Sequence, residues 1–171
     1  CSTDKTIELS KKNTFKILSN KKNLGYDSSL RKGIDFIKKK KDLKYILTVD
    51  GDGQHPIVNL EKIIRNMKKY DLIIFNRRKL QRVSEYIISA ISYAIYGIKD
   101  PLSGMKLYKT DILQTKKLNK NTDYVGMFFF KLYNKNKILN IKIKTTKKIK
   151  SSFGIGLKAN IKILKAFIKC I

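Results

Sequence analysis

Eleven consecutive residues constrain this chain most: Ile46-Leu47-Thr48-Val49-Asp50-Gly51-Asp52-Gly53-Gln54-His55-Pro56. An apolar, β-branched run leads straight into two carboxylates separated by one glycine, with a second glycine following. A short apolar run bounded by glycines predicts a buried strand whose C-terminal end opens into a loop. Open α/β sheets hold their ligands at that end of their strands. Carboxylates at i and i+2 on a turning, glycine-rich backbone can converge on one hard divalent cation. Left unpaired in a sheet interior, they would cost too much to bury. The chemistry this predicts is a metal bridging the protein and a phosphate-bearing substrate. The rival reading is plain turn chemistry, since Asp-Gly pairs are frequent in turns.

Length and composition bound the rest of the chain. Its 171 residues are enough for one domain with a sizeable core, and a hydrophobic fraction of 42% argues against disorder. The net charge of +26, from 39 basic and 13 acidic residues, would attract any polyanion: nucleic acid, anionic lipid or a nucleotide diphosphate. Lysine in company with many Ile and Asn also fits A/T-biased codon use, so charge alone does not choose among them. Cys1 and Cys170 have no metal-ligand spacing, which leaves a reducing, cytoplasmic setting as the default. A single histidine, His55, excludes zinc clusters and any Ser-His-Asp site with a histidine to spare. No stretch reaches the roughly 20 apolar residues needed to span a bilayer, so a membrane role would be peripheral.

Periodicity and punctuation predict the elements. Ser2 or Thr3 caps a short helix to about Lys12, with Asp4 in its first turn, and Thr14 to Leu18 forms a strand. A loop from Asn20 to Ser29, with Gly25 at a positive-φ turn, leads into an amphipathic helix to about Lys41 that buries Leu30, Ile34 and Ile37. After the strand Tyr45 to Val49 and the acidic loop, Pro56 opens a helix over Val58 to Lys69. The strand Asp71 to Phe75 ends at Asn76-Arg77-Arg78. A helix over Ser84 to Tyr96 comes next, then a loop from Gly97 to Gly104 and a strand from Met105 to Tyr108. A helix over Asp123 to Tyr133, an edge strand over Ile138 to Thr145 and a basic amphipathic helix over Leu157 to Ile171 complete the chain. Strands alternating with helices predict an α/β fold with a mostly parallel sheet covered on both faces. The organisation expected is a domain over 1–150 with a C-terminal helix over 151–171.

The motifs resemble those of family 2 glycosyltransferases. Asp50-Gly51-Asp52-Gly53-Gln54-His55-Pro56 resembles the family's D-x-D-G-Q-H-P loop, the DXD motif of its dolichyl- and polyprenyl-phosphate sugar transferases. Ser2-Thr3-Asp4-Lys5-Thr6 is similar to the end of its D-D-x-S-x-D-x-T segment. Asn23-Leu24-Gly25 with Arg31-Lys32-Gly33-Ile34 is similar to its N-x-G…G-I segment. Asn76-Arg77 stands where the family has a strand ending in arginine, and Asp100-Pro101-Leu102-Ser103-Gly104-Met105-Lys106-Leu107-Tyr108 resembles its D-x-x-S/C-G-[FM]-[KR]-x-[YF] segment. The family's first strand and the two aspartates before Ser2 are absent, and an opening on a helix cap carries the expectation that sequence precedes Cys1. The carboxylate often found on the helix after the acceptor loop is replaced here by Gly126 and Met127.

The resemblance implies a GT-A (Rossmann-like) fold and an inverting hexosyltransferase using Mg²⁺ or Mn²⁺. It implies Asp50 and Asp52 as catalytic residues, with Asp52 and Gln54 facing the metal and Asp50 nearer the nucleotide-sugar. Asp4, Asn23, Gly25 and Arg31 would lie along the donor. Arg77 and Arg82 would grip an acceptor phosphate, with Asp100 and Ser103 beside the sugar or acceptor. Guanidinium forks suit a phosphate monoester, though solvated surface charge and a plain turn are the alternatives for these positions. His55 is a base, a loop-orienting residue or a helix cap. The expected acceptor is a polyprenyl phosphate or related cell-envelope glycan at the cytoplasmic face of an anionic membrane; the basic C-terminal helix is read as packed on the domain, as resting on anionic lipid, or as both, with one face buried and its lysines toward headgroups. An ionised phosphate can attack without a strong protein base, in keeping with Gly126. Two rivals remain: a basic nucleic-acid-binding module, against which no known binding motif is found, and an inactive remnant of a transferase.

Overall fold

In the computed structural model, residues 1–13, 16–40, 42–56, 60–115, 133–145 and 156–170 are described. The chain divides into two units, Cys1–Lys41 and Asp42–Ile171.

The first unit carries helices α1 (Thr6–Lys12) and α2 (Gly25–Lys38). Asp4, expected inside the first turn of α1, instead precedes it and accepts a hydrogen bond from the Thr6 backbone N–H at 3.0 Å. A short carboxylate side chain just ahead of a helix satisfies one of its unpaired N–H groups better than one within it. The bond from Thr6 also holds this exposed carboxyl below its usual range. Residues 16–18 are irregular, so the described part of the strand expected from Thr14 is not formed. Helix α2 begins at Gly25, whose φ of +78° matches the predicted turn, and it buries Ile34.

Among the described residues, the second unit is built on a sheet of four strands: β1 (Tyr45–Thr48), β2 (Leu72–Arg77), β3 (Lys106–Lys109) and β4 (Ile138–Ile143), in the order β1-β3-β2-β4. β2 pairs parallel with β4, while β3 lies antiparallel between β1 and β2, so three strands share one direction. Among the described strands β4 lies at an edge, as its alternation of Ile with Lys and Asn predicts. Four residues of β2, Leu72, Ile73, Ile74 and Phe75, are fully buried. Successive strand residues face opposite ways, so both faces of the sheet are covered. Burying four such side chains stabilises this strand by roughly 1.5–3 kcal/mol each, which makes it a firm platform for the polar residues at its carboxyl end.

Helix α3 (Leu60–Arg65) continues as a 3₁₀ turn over Asn66–Lys68, and Met67 packs from it onto Ile73, Phe75, Met105 and Leu107. Helix α4 (Val83–Tyr96) ends at Gly97 (φ +74°), with the backward bonds of Gly97 and Ile98 typical of a left-handed cap. A short α5 (Thr110–Thr115), not foreseen from the sequence, succeeds β3 directly. Helix α6 (Leu157–Cys170) packs against α4 through a buried side that includes Ile163, Ala166 and Phe167. The helix expected from Asp123, with Gly126 and Met127, lies outside the described residues except for Tyr133.

Candidate active site

The site grows from the carboxyl ends of β1 and β2. At the end of β1, the Thr48 hydroxyl donates to the Gly104 carbonyl at 2.9 Å and lies 3.3 Å from that of Lys106, tying the strand to the start of β3. Two residues on, the Asp50 carboxylate occupies the space directly above the Gly104 Cα. A Cβ there would overlap its carboxyl carbon and both oxygens. Only glycine at position 104 leaves Asp50 where it is. The chain then turns through Gly53 (φ +71°), and the exposed Asp52 accepts from the Gln54 N–H at 3.1 Å. His55 is buried behind the turn, its Nδ1 without a partner among the described residues.

Arg77 ends β2 in a fork around Asp100. The Asp100 carboxylate accepts from the Arg77 backbone N–H (3.0 Å), from Nε (2.8 Å) and from Nη2 (2.9 Å). Nη2 also lies 3.2 Å from Glu85, which pairs with Arg82 on its other oxygen and accepts from the Gln81 N–H at 3.1 Å. Asp100 and Glu85 are both buried, as is Arg82. Burial works against the Arg77 charge, but its bonds to Asp100 and the attraction of Asp100, Glu85 and Asp50 hold the guanidinium above the usual arginine range. The result is a neutralised quartet of two arginines and two carboxylates that fixes Arg77 in one orientation.

Ser103 closes the same corner. Its buried hydroxyl donates to the Phe75 carbonyl at 2.6 Å, and its N–H bonds the Asp100 carbonyl in a turn. Beside Arg77 opens a cleft of about 310 Å³ lined by Asn76, Arg77, Arg78, Tyr86, Lys99 and Lys142, among others. Asn76 is buried beneath this cleft, and its Oδ1 has no partner among the described residues. Asn140 braces this wall by accepting from the Lys99 N–H at 3.0 Å and donating to the Gly97 carbonyl at 2.7 Å.

The sequence-derived residues thus separate into two sets. Asp50, Arg77, Arg82, Asp100 and Ser103 meet at one end of the sheet, with Asp52 and Gln54 on the adjoining turn. Asp4, Asn23, Gly25 and Arg31 belong to the other unit, where Asn23 accepts from the Gly25 N–H at 3.0 Å and sets the turn into α2. Sequence reasoning missed Glu85, whose signal was available: it is the single charged residue of α4. It left Gly104 between a turn residue and one beside the sugar or acceptor, and did not foresee that its missing side chain makes room for Asp50.

Among the described residues, no group of three or more His, Cys, Asp or Glu side chains could enclose a metal ion. Mg²⁺ bound to a phosphorylated substrate needs less, commonly one or two carboxylates with substrate and water oxygens. An exposed Asp52, held by its own turn beside the Gln54 amide, fits that donor set.

Removing the Asp100 charge tests the quartet. Asp100→Asn leaves Arg77 without its fork, and we expect a loss of about 3 kcal/mol in stability, read from the urea midpoint. An unchanged midpoint would mean that the fork does not hold this corner.

Three strands in one direction with a reversed strand between them, loops carrying the polar cluster at their carboxyl ends and covering helices are the features of a GT-A fold. The chain superposes with a TM-score of 0.70 on glucosyl-3-phosphoglycerate synthase from Mycobacterium tuberculosis, a structure solved in complex with phosphoglyceric acid. The two are 14% identical, and the match covers 99% of this chain and 66% of that one. Residues 1–141 match the profile of Glycosyl transferase family 2, and the chain belongs to that family. A comparison with functionally curated proteins gave no match.

Proposed function

We propose that this glycosyltransferase moves a hexose, with inversion, from a nucleotide-sugar to a lipid-linked polyprenyl phosphate or related cell-envelope acceptor at a cytoplasmic membrane face. The observation that carries the reading is the juxtaposition of Asp50, seated over Gly104, with the anchored Arg77. It sets a carboxylate for the donor sugar beside a cation for the acceptor phosphate. Asp52 and Gln54 hold Mg²⁺ or Mn²⁺, which neutralises charge on the departing diphosphate. The motif resemblance assigns Asp4, Asn23, Gly25 and Arg31 to the donor. Arg77 faces the acceptor phosphate, Arg82 and Asp100 keep it aimed, and Ser103 fixes the backbone between β2 and β3. Exposed Arg78, Lys99 and Lys142 extend the cationic wall of the cleft. A phosphate acceptor is ionised near neutral pH, so no strong base is required of the protein.

The test is release of nucleoside diphosphate from a panel of UDP- and GDP-sugars, with polyprenyl phosphate in detergent as acceptor. Release is expected only with acceptor present, and chelation of the divalent ion should stop it. Transfer to 3-phosphoglycerate but not to the lipid would sink the lipid assignment. Absence of release from every donor, alongside tight and steeply salt-dependent RNA binding, would favour the nucleic-acid rival.

A further inference from the structure

Helix α4 is inside out. In a chain where 30% of residues are charged, its fourteen residues include one charge, Glu85, and that points inward. Its buried side consists of Ser84, Glu85, Ile88 and Ser92, and two of these four, Ser84 and Ser92, have hydroxyls without partners among the described residues. Its exposed side carries Val83 (72% exposed), Tyr86, Ile87, Ile91, Tyr93 and Ile95. Val83, Ile87, Ile91 and Ile95 succeed one another at four-residue spacing and so form a ridge along the helix. A helix facing water has the opposite arrangement.

We infer that this ridge docks on an anionic lipid bilayer, lying in the plane of the interface. The inference deepens the lipid-phosphate reading and rests on it. Charge selects the occupant. Arg78 and Lys79 precede the helix, Lys99 comes after it, and the adjoining α6 exposes Lys158, Lys162, Lys165 and Lys169 together with Leu157, Ile161 and Ile168. Basic residues around an apolar strip complement anionic headgroups. A second copy carrying the same net charge of +26 would instead be repelled. Tyr86 and Tyr93 suit the boundary between headgroup and acyl chain. No described helix is long and apolar enough to cross a membrane, which leaves an in-plane orientation for α4. Tyr86 and Ser89 also form part of the cleft beside Arg77, so docking through this helix brings that cleft to the depth of lipid phosphates.

The chain has no tryptophan, so Ile87→Trp supplies a clean reporter. With phosphatidylcholine–phosphatidylglycerol vesicles, we expect a blue shift in its emission and quenching by brominated acyl chains. The variant Ile87→Glu/Ile91→Glu should bind these vesicles about 100-fold more weakly, the effect of withholding two isoleucines from the apolar phase. Its circular dichroism and its transfer to a detergent-dispersed acceptor should match the parent. Either an unshifted Trp emission on bound vesicles or undiminished binding of the double variant would overturn the inference. A lipid-free dimer dissolved by Ile87→Glu would overturn it in favour of a second copy. Vesicle binding needs neither donor nor acceptor, so its failure is distinct from failure of the transferase assay.

Discussion

Gly104→Ala is expected to reduce transfer about 100-fold, because a single methyl group evicts the Asp50 carboxylate from its seat. The position has no positive φ, so alanine meets no left-handed backbone penalty there, and its nearest clashes are all with the Asp50 carboxylate. Overpacking of this kind costs about 1–3 kcal/mol in stability. A double-mutant cycle isolates the cause. In an Asp50→Ala background, the added methyl should cost much less in thermal unfolding, since the carboxylate it overlaps is gone. Equal destabilisation in both backgrounds would show that Asp50 does not occupy this seat in solution.

The second large effect is expected at Asp52. Asp52→Asn keeps the side chain's shape and its bond from the Gln54 N–H, but removes the charge that attracts a divalent ion. If Asp52 holds the metal on the leaving diphosphate, transfer at saturating donor should fall about 1,000-fold, equivalent to several kcal/mol of lost charge stabilisation. Raising Mn²⁺ should restore part of the rate. Stability should barely change, because the residue is exposed on a turn. A variant with parental rates would remove Asp52 from the site and leave Asp50 to be tested alone.

Much of the site is legible in the chain because its parts are local. The apolar run ending in Asp50-Gly51-Asp52-Gly53 gives a strand and a turn through short-range chemistry, and both stand where expected. The strand ending at Arg77 and the edge strand from Ile138 are equally legible, since their side-chain alternation and punctuation depend on near neighbours. The strand predicted from Thr14 to Leu18 is not formed over its described residues. Propensity over five residues is weak when no tertiary partner supports it.

The amino-acid order alone determined the alternating α/β pattern, the acidic loop and the surplus of positive charge, because periodicity, turn residues and composition act within a few positions of one another. Only the tertiary structure decided that β3 would run backwards between β1 and β2, that Gly104 would yield its side-chain volume to Asp50, and that Glu85 and Asp100 would clamp Arg77. Each of these depends on groups far apart in the chain meeting in a buried, low-dielectric corner, where overlap and unpaired charge are costly, and no local pattern records which partners will meet.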